Sequence, residues 1–131
     1  MGYRWVDHTA ELELHLESAT AAGVFEDALR AFAELLGQGA RDEPAVFDVE
    51  LSAPDRAALL AGWLDELVFR AETADLVPDE VAELHLDERA LRARVRAHRG
   101  RPRHIVKGVT YHRLRFDRVD GGYEATLVLD V

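Results

Sequence analysis

From Leu91 to His98 the chain reads Leu-Arg-Ala-Arg-Val-Arg-Ala-His, with every second residue apolar. Successive side chains of a strand point to opposite faces, so a period of two marks a half-buried strand with a solvated outer face. A helix would scatter the same residues around its circumference. The preceding run, Ala82-Glu83-Leu84-His85-Leu86-Asp87, alternates as well. The two runs, near 80–87 and 89–98, therefore predict a hairpin in which Glu83 and Asp87 face the arginines. A third alternating run spans Glu11 to Glu17, with Leu12, Leu14 and Leu16 turned inward, and follows a short strand at Arg4 to Val6.

Elsewhere the period changes. Phe25, Ala28, Leu29, Phe32, Leu35 and Leu36 recur at helical spacing. Thr20 is placed to cap that helix, because its hydroxyl can accept an orphan N–H of the first turn, and Gly37 and Gly39 end it. Ala45 to Leu51 reads as a strand. Pro54 is expected to open a second helix, which buries Leu60, Trp63, Leu64, Leu67 and Ala71 on one stripe. Gly100 and Pro102 break the chain, and two further strands, His112 to Val119 and Tyr123 to Val131, flank the turn Asp120-Gly121-Gly122. Two helices and about seven strands, mostly joined by short hairpins, predict an α+β sandwich of largely antiparallel strands, with residues 1–131 as a single domain.

Composition narrows the chemistry. There is no cysteine, which excludes disulfides, thiolate metal sites and a cysteine nucleophile. No apolar run reaches the ~20 residues of a membrane helix, and the opening lacks the basic-then-apolar order of a signal peptide, so a cytoplasmic protein is expected. The net charge of −9 is unevenly spread. Residues 1–88 hold 21 acids against 5 bases, whereas residues 89–118 hold 11 bases and one acid. A basic stretch can contact RNA, but here its arginines occupy the polar face of a predicted strand and the whole chain repels a phosphate backbone at long range. Direct RNA contact is not expected.

Three polar clusters remain as candidates: Asp7-His8-Thr9-Ala10-Glu11, Lys107-Gly108-Val109-Thr110-Tyr111-His112, and Asp130 with Val131. If the first and last strands meet, Glu11, Asp130 and the carboxylate of Val131 converge as oxygen donors. Clustered carboxylates repel unless a cation or proton lies between them, and all-oxygen donation favours Ca²⁺, Mg²⁺ or Mn²⁺. The competing reading is that these acids are simply solvated on a strand's outer face. Asp7 and His8 have the residue types of a base and its orienting partner, yet neighbours on a strand point to opposite faces, which favours a structural histidine. His112 fits either a partner phosphate or a polar strand edge. Lys107 is the chain's single lysine. No phosphate-binding loop or hydrolase elbow pattern occurs.

Taken together, the Asp7-His8-Thr9-Ala10-Glu11 opening, the helix from Thr20 to Leu36 with its Phe-Glu-Asp-Ala-Leu core, Gly62-Trp63-Leu64-Asp65-Glu66-Leu67, the Lys107-to-His112 motif and Leu129-Asp130-Val131 resemble the archease family. The resemblance runs in order over essentially the whole chain. It implies an accessory protein, not itself an enzyme, that activates the GTP-dependent RNA ligase joining 3′-phosphate or 2′,3′-cyclic phosphate ends to 5′-hydroxyl ends in tRNA splicing and RNA repair. Such proteins promote guanylylation of the ligase histidine and multiple turnover. The resemblance places the family's metal ligands on Glu11, Asp130 and Val131, with Asp7, His8, Lys107, Thr110 and His112 as partner-contact or supporting residues. One departure is Glu11, where the family usually has Asp; the extra methylene would move a bound ion by ~1 Å or weaken it. Two alternatives stand beside this reading. One is a general chaperone or modulator of RNA-processing enzymes, and the other a stand-alone metal-dependent phosphohydrolase using Asp7, His8 and His112.

Overall fold

The computed structural model describes residues 2–37, 43–102 and 106–131. Chain order is β1 (Gly2–His8), β2 (Glu11–Ser18), α1 (Ala21–Leu36), β3 (Pro44–Ser52), α2 (Arg56–Ala74), β4 (Leu76–Leu86), β5 (Ala90–Arg99), β6 (Gly108–Val119) and β7 (Gly122–Asp130). Every strand pairing is antiparallel. The strands form a four-stranded sheet in the order β1-β2-β7-β6 and a three-stranded sheet in the order β3-β5-β4. Among the described residues this gives two helices and seven strands, the α+β architecture that the alternating and helical periods predict. Each helix packs against strands of both sheets, and the two helices also touch one another. A single hydrophobic cluster joins Leu14 and Leu16 of β2, Phe25 and Phe32 of α1, Trp63 and Leu67 of α2, Val95 of β5 and Leu127 of β7.

The helix termini follow from side-chain chemistry. The Thr20 hydroxyl accepts the Gly23 N–H at 3.0 Å, and Gly37, at a positive φ of 74°, closes α1 with its N–H on the Glu34 carbonyl. Gly39 lies outside the described residues. The second helix departs from expectation. Its cap is Asp55, whose carboxylate accepts the Ala58 N–H at 2.8 Å, and Pro54 stands one residue before the cap. A side-chain acceptor satisfies an orphan N–H that proline can only omit, so Asp55 sets the start.

The arginine-rich strand β5 lies centrally in its sheet. Two of its outward arginines are held by acids, one from each neighbour: Arg94 Nε donates to Asp48 Oδ1 of β3 at 2.9 Å, and Arg96 donates to Glu80 of β4 at 2.8 Å. Glu83 sits opposite Arg94 in register, whereas Asp87 lies in the turn, where its N–H bonds the Ala90 carbonyl. Asp48 is held below the usual carboxylate range, first by its hydrogen bond from Arg94. The alternation fails at His98, which is buried and pairs through Nδ1 with Asp79 at 2.8 Å.

A close approach fixes the corner where β2 turns into α1. A Cβ at Gly122 would lie 2.2 Å from the Ser18 carbonyl oxygen and 3.0 Å from the Ala19 Cα. Both are backbone atoms and cannot swing aside. Gly122→Ala is therefore expected to destabilise the protein by about 1–3 kcal/mol, read as a lower urea midpoint with an unchanged slope.

Candidate functional site

The first hairpin turns tightly. His8 pairs with Glu11, leaving Thr9 and Ala10 as the loop, and Ala10 adopts φ 61°. That left-handed geometry is uncommon for a residue with a Cβ. It sits where the Ala10 carbonyl accepts the Val131 N–H at 3.3 Å. The opening and closing segments thus meet. In the β2–β7 ladder Glu11 is the direct partner of Asp130, Leu12 of Leu129 and Leu14 of Leu127. Directly opposed residues share a face, so Glu11 and Asp130 project together on the side away from the leucines.

Strand β6 completes the arrangement. Gly108 pairs with Asp130, and the Lys107 N–H donates to the Asp130 carbonyl at 2.8 Å. Lys107 therefore joins the site through its main chain, one residue before β6, and its side chain is exposed. The nearby Val109 packs on the core, and its N–H donates to Asp65 of α2 at 3.3 Å. Burial raises the Asp65 carboxyl, with this hydrogen bond opposing.

Beyond Thr110 the register jumps: Thr110 faces Val128 and Arg115 faces Thr126. Residues 111–114 consequently answer to Leu127 alone and form a wide bulge. Its first turn is tied by the His112 N–H to the Thr110 hydroxyl at 3.3 Å, and Tyr111 and His112 are exposed. Arg113, at φ 58°, reaches across the face to bond Glu11 Oε2 at 3.2 Å and Glu13 Oε1 at 2.8 Å. Glu13 also meets His15 Nε2 at 2.5 Å and His8 Nε2 at 3.3 Å. Burial alone would raise the Glu13 carboxyl, but the His15 hydrogen bond and the Arg113 charge outweigh it and hold it below the usual range.

Of the residues singled out in the sequence, Glu11, Asp130, Val131 and the main chain of Lys107 come together. His8 joins the adjoining Glu13 network, while Asp7 pairs with Leu12 and so faces away. Thr110 and His112 shape the bulge. The roles of Glu13, Arg113 and the Ala10 main chain were not anticipated. The parity of Glu13 with Glu11 was the available signal for the first; no periodic pattern announces the other two, because a bulge and a left-handed turn break periodicity.

Two opposed carboxylates beside main-chain oxygens make an all-oxygen donor set, the chemistry of a hard divalent cation. Among the described residues no three His, Cys, Asp or Glu side chains are grouped to hold an ion. An ion at Glu11 and Asp130 would complete its shell with main-chain oxygen, such as that of Val131, or with water.

Comparison with known proteins gives this geometry a context. A sequence profile described as the archease protein family matches residues 3–131. A protein archease from Methanopyrus kandleri is 31% identical, with 100% of each chain covered. The solution structure of a Methanobacterium thermoautotrophicum protein superposes with a TM-score of 0.71 at 25% identity, covering 99% of both chains. A crystal structure from Thermotoga maritima, described as an archease and possible chaperone, has a TM-score of 0.72 at 17% identity, covering 96% of this chain and 94% of that one. No helix among the described residues is long and apolar enough to cross a membrane.

Proposed function

Since the chain belongs to the archease family, we propose that it is a metal-binding accessory protein that activates a GTP-dependent RNA ligase, promoting guanylylation of the ligase and its multiple turnover. The ligase is the one that joins 3′-phosphate to 5′-hydroxyl RNA ends, in tRNA splicing or RNA repair. One observation carries the reading: Glu11 and Asp130, far apart in sequence, are direct partners on one face of the sheet.

In this reading Glu11, Asp130 and the main-chain oxygen of Val131 hold a divalent cation, Ca²⁺, Mg²⁺ or Mn²⁺. When bound, the ion supplies positive charge toward the triphosphate of GTP. The chain's own part is positional. The β2–β7 ladder holds the two carboxylates side by side, and the Ala10 carbonyl fixes Val131 against them. The hydrogen bond from Lys107 to Asp130 keeps the neighbouring strand in register, and Asp65 pins that strand to α2. The main-chain frame of this corner is preorganised by those bonds, which is where electrostatic assistance gains its strength. Bond-making belongs to the ligase, and the cytoplasm is the expected compartment.

The test is a guanylylation assay of the cognate ligase with GTP, with and without this protein, across a series of divalent ions. Faster, ion-dependent guanylylation and more than one turnover per ligase support the proposal. Equal rates with and without the protein would sink it. Protection of several unrelated clients, indifferent to changes at Glu11 and Asp130, would point to a general chaperone; phosphoester turnover by this chain alone would point to a hydrolase.

A further inference from the structure

Arg113 occupies an unusual position for a cation. Its guanidinium reaches Glu11, one of the two acids that the ligand reading assigns to the ion. It is delivered there by a bulge in which four residues face one, and its own backbone is left-handed. Such geometry costs energy and persists where the surroundings enforce it. Here the enforcing contact is Glu13, whose carboxylate takes Arg113 Nε at 2.8 Å and is itself steadied by His15 and His8. The Arg113 side chain is thus doubly anchored, firmly on Glu13 and more loosely, at 3.2 Å, on Glu11.

We propose that Arg113 is a built-in counter-cation of the Glu11–Asp130 pair, which a divalent ion must displace from Glu11 in order to bind. The proposal rests on the ligand reading above and adds its regulation. The second anchor makes the exchange possible: when Glu11 turns to the ion, Arg113 remains on Glu13 and is not left unpaired beside a new positive charge. The arrangement lowers affinity for the ion, because each binding event breaks one ion pair.

The experiment is calorimetric titration of Mn²⁺ and of Ca²⁺ into the full chain, its Arg113→Gln and Arg113→Asn variants, and Asp130→Asn. Removing the competing charge should tighten binding by roughly two- to fivefold, the scale of one half-exposed ion pair. Arg113→Lys, which keeps the charge but loses the fork, should fall between. Asparagine tolerates left-handed backbone, so the second neutral variant keeps the test valid if the first folds poorly. Asp130-dependent binding in the unaltered chain, with no gain in either neutral variant, overturns the Arg113 proposal and leaves the ligand reading standing. Binding that ignores Asp130, or no binding by any chain, overturns both.

Discussion

Asp130→Asn should reduce stimulation of the ligase to the level of the ligase alone while leaving the fold intact. The two halves of that expectation have separate physical origins. Asp130 contributes to the fold through its main chain: its carbonyl accepts the Lys107 N–H, and its register partners are Glu11 and Gly108. Its side chain is exposed. An isosteric amide keeps all the backbone contacts, so the unfolding free energy should move by no more than about 0.5 kcal/mol. Removing one of two facing carboxylates also relieves repulsion, which opposes any loss. Ion binding has no such protection. Changing a group that merely supports a ligand commonly costs 10–100-fold in affinity, and loss of a direct ligand should cost at least about tenfold. Parallel measurements of urea unfolding, Mn²⁺ titration and guanylylation rate check all three. A folded Asp130→Asn protein that stimulates fully would remove Asp130 from the mechanism.

How far this site could be read from the sequence depends on which kind of regularity carried each part. Leu12, Leu14 and Leu16 announce a strand because burial of one face imposes period two, and that parity alone places Glu11 outward. The helical stripe through Trp63 and Leu67 is legible for the corresponding reason. That β2 and β7 are neighbours was legible only as a conditional, because strand order is set by how the whole chain packs. His98 shows how the pattern fails. It continues the polar face of β5, yet Asp79 gives it a partner and the fold buries it. Val128 and Thr126 fail in the same sense: they share the outward face with Glu13 and His15 and are buried all the same. Arg113 lies in a segment whose register is broken, and no periodic argument can assign a face to such a residue. The chemistry nearest the acids was therefore the least visible part of the site.

The largest effect on stability is expected at Trp63, which is fully buried. Its indole N–H donates to the Phe25 carbonyl at 2.9 Å, joining α2 to α1 across the core. Trp63→Ala removes the ring, leaves a cavity among Leu and Phe side chains and deletes that bond, at an expected cost of about 3–5 kcal/mol. Against the 5–15 kcal/mol typical of a domain this is a large fraction. Trp63→Phe refills most of the space and should recover over half of the loss, the remainder being the hydrogen bond and the missing ring volume. Urea denaturation of both variants gives the comparison, and a Trp63→Ala protein within about 1 kcal/mol of the parent would show that the helices are not coupled through this side chain. The functional consequence contrasts with that of Asp130. Trp63 stands two residues before Asp65, which secures β6 through Val109, but it makes no contribution to the donor set. Under conditions where Trp63→Ala remains folded, its affinity for Mn²⁺ should equal that of the parent, and its stimulation of the ligase should fall only with the folded fraction. A loss of ion affinity in the folded Trp63→Ala protein would mean that the acidic corner is strained by the core beneath it, and that the two carboxylates are not positioned by the β2–β7 ladder alone.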